Sequence, residues 1–115
     1  MAIDLKNVGK KVADGLAKNV IVTFKFKRGL SQKLTLQNPL KIQIDGKDTF
    51  EVKPDSSVVQ EVKEGSHTLK LWLVSQDNEM GVVNSSVNFS SPSKYEVVYE
   101  YSTLGSSGKI SVLMV

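Results

Sequence analysis

The 115-residue chain has no cysteine, which excludes a disulfide framework and a thiolate metal site. Its one histidine, His67, leaves no imidazole pair to share a metal or a proton relay. No apolar run approaches the ~20 residues that a bilayer-spanning helix needs. Residues 1–19 carry lysines and acids throughout, so they lack the roughly 7–15-residue apolar core of a secretory signal. Without leader, span or cysteine, the expected compartment is the cytoplasm. Only three prolines occur, Pro39, Pro54 and Pro92, so long stretches are free to form ladders.

A hydrophobic fraction of 40% against 23% charged residues is ordinary for a globular chain and excludes intrinsic disorder. The length fits one domain, residues 1–115, with a substantial core.

Net charge is +3, but it is unevenly spread. Residues 1–41 carry nine cations against Asp4 and Asp14, or +7, while residues 42–115 carry six lysines against ten acids, or −4. The plainer reading is that the basic and acidic parts attract each other within one fold. The sharper one is an anion-binding face formed by Lys6, Lys10, Lys11 and Lys18 with Lys25, Lys27 and Arg28, suited to phospholipid or nucleic acid.

The pattern divides the chain in two. Leu5, Val8, Val12 and Leu16 recur at helical spacing, widened by Ala13 and Ala17, which predicts an amphipathic helix over 4–18 with Asp4 as N-cap and Asn19 as stop. Gly9 and Gly15 each cost it about 1 kcal/mol relative to alanine, so the helix needs a surface to pack on.

From Val20 the period becomes two. Val20, Val22, Phe24 and Phe26 share one face of a strand. Lys33–Leu36 is a candidate short strand, broken by Asn38-Pro39. Further strands are predicted over 40–44, 50–52, 58–62, 67–75, 82–90, 95–101 and 110–115. Their turn signals are Asp45-Gly46, Pro54-Asp55, Glu64-Gly65, the loop Asp77–Glu79, Ser91-Pro92-Ser93 and Gly105–Gly108.

The first of these hairpins can be registered by its side chains. A three-residue turn, Asp45-Gly46-Lys47, sets Ile42 against Phe50 and Leu40 against Val52, which keeps the apolar chains on one face. Gly46 and Gly65 are then expected at positive φ. Seven or eight strands at this spacing indicate a mainly β, antiparallel sandwich, with a barrel as the alternative closure. The apolar Leu113-Met114-Val115 is expected to pair inside a sheet.

Ile44-Asp45-Gly46, followed by Val62, Glu64, Gly65, His67, Leu69 and Leu71, resembles bacterial PEGA-type modules and related small β-sandwich domains. Their pattern is a strand ending in I-D-G, a variable hairpin and an E-G-x-H return. The match covers about a third of the chain. Ser66 replaces the alanine and Lys63 the proline of the P-E-G-A signature. The resemblance implies a modular β-sandwich without enzymatic activity and supplies no functional residue.

The remaining chemistry is sparse. No serine lies in a G-x-S-x-G elbow, so His67 reads as a turn-bonding side chain rather than a catalyst. Glu61 and Glu64 near His67, and Asp77 with Glu79, show no metal-ligand spacing. Gly105–Lys109 lacks the glycine and the hydroxyl residue of a phosphate loop and reads as a hairpin connection. The acceptor triplets at Asn84 and Asn88 read as chance without a secretory signal. Trp72 lies opposite Leu69, Leu71 and Leu73, as a dock for the helix or as an aromatic contact for a sugar or base.

The expectation is a non-enzymatic module for protein–protein interaction or assembly, with no cofactor and no metal. Candidate partners are another protein, an anionic membrane surface or nucleic acid, and a second copy of the chain. If the predicted helix covers Trp72, deleting residues 1–18 will red-shift Trp72 fluorescence and lower the melting temperature. No change in either would leave the helix unattached.

Overall fold

The computed structural model describes residues 18–29, 36–102 and 107–115; all but Lys18 of the predicted helix over 4–18 and all but Leu36 of the candidate strand 33–36 lie outside them. Eight strands follow in order: β1 (Asn19–Lys27), β2 (Leu40–Ile44), β3 (Thr49–Val52), β4 (Ser57–Lys63), β5 (Gly65–Ser75), β6 (Asn78–Phe89), β7 (Lys94–Ser102) and β8 (Ser107–Met114). They form two four-stranded sheets, β4-β1-β7-β8 and β3-β2-β5-β6. The sheets pack as an open sandwich and do not close into a barrel.

Alternation makes the core. Val20, Val22, Phe24 and Phe26 of β1 and Tyr95, Val97, Tyr99 and Tyr101 of β7 point inward and are buried. Leu40, Ile42, Leu69, Leu71, Leu73 and Phe89 oppose them from the second sheet. Ring pairs join the layers, with Phe24 edge-on to Phe50 at 5.3 Å and Phe89 against Tyr95 at 4.9 Å.

The β2–β3 register pairs Leu40 with Val52 and Ile42 with Phe50, as the three-residue turn predicts. Gly46 (φ +68°) and Gly65 (φ +120°) both have positive φ, also as predicted. Two features differ from the sequence reading. The sandwich is not wholly antiparallel, because β1 pairs parallel with β7, Ile21 beside Lys94. Such pairing joins segments distant in sequence, which no local pattern encodes. The β5–β6 connection is also tighter than the loop expected at Asp77–Glu79. Gln76 and Asp77 both adopt positive φ, so β6 starts at Asn78 rather than Val82.

The two sheets approach closely where Tyr99 of β7 donates its hydroxyl hydrogen to the Gly81 carbonyl of β6, 2.6 Å away. Burial, with Tyr101 beside it, raises the pKa of the Tyr99 phenol and keeps it a donor. Two glycines make room. A Cβ on Gly108 would meet the Tyr99 hydroxyl and lie 2.6 Å from the Gly81 carbonyl oxygen. A Cβ on Gly81 would meet the same hydroxyl and the Tyr101 ring.

Gly108→Ala is therefore expected to destabilise by about 1–3 kcal/mol through overpacking. Gly46→Val, with open space around it, is expected to cost a similar ~1–3 kcal/mol through its backbone alone. Urea midpoints of the two variants measure both, and unchanged midpoints would count against the close packing and the turn geometry respectively.

Candidate functional site

Each sheet ends in two edge strands, and β8 differs from the other three. The β3 segment carries Glu51 and is flanked by Asp48 and Lys53. The β4 strand carries Glu61 and Lys63, and β6 carries Glu79 with Asn78, Asn84 and Asn88. Charge on an edge discourages pairing with another chain. After Lys109, Ile110–Val115 carries no charge, no proline, no bulge against β7 and one polar side chain, Ser111, whereas β6, also uncharged from Met80 to Phe89, is interrupted by Asn84, Ser85, Ser86 and Asn88 and by a register shift against β5.

The backbone of β8 can be assigned by direction. Val115 N–H donates to the Lys94 carbonyl at 2.8 Å, which continues the antiparallel register with β7. Antiparallel pairing alternates, so Lys109, Ser111 and Leu113 also turn their N–H and C=O toward β7. Ile110, Val112 and Met114 turn theirs to the open edge.

The side chains of these same three residues face inward, opposite Tyr99, Val97 and Tyr95. Their exposure rises along the strand, from half-buried Ile110 to 40% at Val112 and 67% at Met114. The sheets meet at Gly81 and Gly108 and leave the far end of β8 uncovered. This edge escaped the sequence reading: the apolar run after Lys109 was visible there, but not that its strand lies at the edge of a sheet.

Of the predicted anion-binding residues, Lys18, Lys25, Lys27 and Arg28 are described. Lys6, Lys10 and Lys11 lie outside the described residues. Lys18 and Lys27 flank opposite ends of β1, roughly 30 Å apart at strand rise. Lys25 pairs with Glu96 at 3.1 Å. Arg28 places Nη2 2.8 Å from Asp55 Oδ2 and donates from Nη1 to the Leu36 carbonyl at 2.7 Å. Lys25, Lys27 and Arg28 line an open groove of about 440 Å³, but Asp55 lines it too. These two ion pairs join the basic first third to the acidic remainder, as the plainer reading of the charge asymmetry expects.

Trp72 points away from the main core, beside Lys41 of β2, at a register shift between Leu71 and Leu73. It is nevertheless only 8% exposed. The Lys70 ammonium sits 4.7 Å from its ring centroid and pairs with Glu79 at 3.1 Å. An open aromatic platform is thus not what this face presents.

His67 ties two turns together. Its Nδ1 lies 2.6 Å from Asp45 Oδ2, and its Nε2 lies 2.6 Å from the Lys63 carbonyl oxygen. Both partners accept, so both bonds form at once when the ring carries both protons. Asp45 also accepts from Thr68 N–H at 2.9 Å. The bond with His67, followed by that from Thr68, holds the Asp45 carboxyl below its usual range. Neither ring nitrogen is left to act on a substrate. Among the described residues, no group of three or more acidic or imidazole side chains could hold a metal ion.

No protein-family model and no curated protein matches the chain.

The shifted Asp45 carboxyl fixes a pH dependence. Its folded-state pKa is depressed, so its contribution is fully present above the unfolded value of about 3.9 and is lost as pH falls through the lower, folded value. The urea midpoint of the native chain should fall with acidification below about pH 4. Asp45→Asn, which tolerates the positive φ of this position, should show a smaller fall over the same range. Parallel curves for the two proteins would remove Asp45 from the account.

Proposed function

We propose that this chain is a non-enzymatic β-sandwich module for protein–protein interaction or assembly, and that its working surface is the open edge of β8. The observation that carries the proposal is the union of outward backbone groups at Ile110, Val112 and Met114 with inward-facing apolar side chains, half-buried at Ile110 and exposed at Val112 and Met114. An edge of this kind recognises an extended strand, with hydrogen bonds from the backbone and selectivity from alternate side chains. The residues that carry the resemblance to PEGA-type modules support a structural role. Gly46 and Gly65 sit at turns of positive φ, and His67 has both nitrogens engaged. The anion-binding reading has less support, because Lys25 and Arg28 already hold Glu96 and Asp55.

Titrating the isotope-labelled chain with an extended peptide of alternating valine and threonine tests this by NMR. The expected shifts are largest at the amides of Ile110, Val112 and Met114. Salt-sensitive binding to anionic liposomes or single-stranded DNA, with β8 unmoved, would transfer the function to the basic face.

A further inference from the structure

Resting on this strand-adding reading, we infer that the strand added at β8 is the β8 of a second copy, antiparallel about a two-fold axis through Val112. In that register Val112 opposes its counterpart, Ile110 opposes Met114, Ser111 opposes Leu113 and Lys109 opposes Val115. The outward backbone groups of Ile110, Val112 and Met114 meet those of Met114, Val112 and Ile110, which gives three hydrogen-bonded pairs.

A one-residue slip breaks this match, because it sets outward groups against residues whose groups face β7. Sliding by two residues between the copies either sets Met114 against Gly108 or leaves Ile110 unpaired. Only the register centred on Val112 gives all three inward residues, Ile110, Val112 and Met114, an apolar partner. It also sets no charge against a like charge, the condition that the Glu61 and Lys63 of β4 and the Glu79 of β6 make harder to meet on those edges.

The product is one continuous sheet, β4-β1-β7-β8 followed by β8-β7-β1-β4. The apolar inner layer runs across the axis, and each copy covers the Val112 and Met114 of the other. The contact is isologous and closes at two copies. It uses the Ile110–Met114 edge and leaves the charged β4 strands outermost, so growth stops there.

Two short strands bury less than the ~1,200 Å² of stable complexes, so association is expected at tens of micromolar and above. Analytical ultracentrifugation between about 1 μM and 1 mM should show the mass rising from 12.6 kDa toward twice that value. Val112→Pro removes one outward N–H and no bond to β7, and should weaken the dimer about tenfold or more. Met114→Lys, at a 67% exposed position, should do the same with an unchanged melting temperature, which separates loss of pairing from loss of fold.

Val59→Lys on the β4 edge should leave the dimer intact. A dimer that survives both β8 variants, or that Val59→Lys breaks, overturns the inference. A chain that stays at 12.6 kDa throughout overturns it as well. The valine–threonine peptide then decides the broader reading separately: binding at β8 preserves an edge that serves another strand, and no binding removes both.

Discussion

The sandwich is organised around one buried hydrogen bond, from the Tyr99 hydroxyl to the Gly81 carbonyl. A phenol with no exposed surface must have a partner, since an unpaired buried hydroxyl costs about 1–3 kcal/mol. Meeting that need draws β6 toward β7 at one end of the sandwich. The approach is possible only because positions 81 and 108 carry no side chain. Phe26 packs edge-on against the same ring at 5.7 Å, so the bond also fixes where β1 lies in the core. The pinch has a geometric counterpart. The sheets are held together at Gly81 and Gly108, and the apolar stretch of β8 with its outer edge open lies at the far end, toward Met114.

Polar contacts have a different task, which is to secure the connections between layers. Arg28, just past β1, reaches Asp55 in the β3–β4 turn and the Leu36 carbonyl. His67, early in β5, reaches back to Lys63 and across to Asp45. Both side chains are long or two-ended donors, and both span links at which the chain passes between elements. Exposed ion pairs contribute little each, typically below about 1 kcal/mol. Their value here is register: each fixes the height of a turn against a strand from a different part of the chain.

Much of this architecture was legible in the residues because the pleat imposes a strict period of two. The inward stripes Val20–Phe26 and Tyr95–Tyr101 and the Leu69–Leu73 face needed no further information. The β2–β3 register followed from requiring Ile42 and Phe50 to share a face. The β5–β6 turn was less legible because it lacks glycine, and Gln76 is not a residue that announces positive φ. The burial of Trp72 depends on its surroundings on the outer face, which strand periodicity does not describe. The candidate edge was hidden for a similar reason. That Leu113–Val115 would pair in a sheet could be read from their apolarity, but the rank of β8 within that sheet is a property of topology.

The parallel pairing of β1 with β7 has a temporal side. Ile21 and Lys94 are 73 positions apart, by the difference of their numbers, and both strands of the first sheet's centre are needed before it exists. On a ribosome, the Val-Phe stripe of β1 emerges early and waits for most of the chain to follow. During that interval only the antiparallel β4 strand is available to β1, while the hairpins of the second sheet can form from neighbours. Long-range closure of this kind slows folding and leaves apolar strands unprotected in the meantime. Synthesis speed through the middle of the chain becomes a variable in how much of the protein reaches its native form.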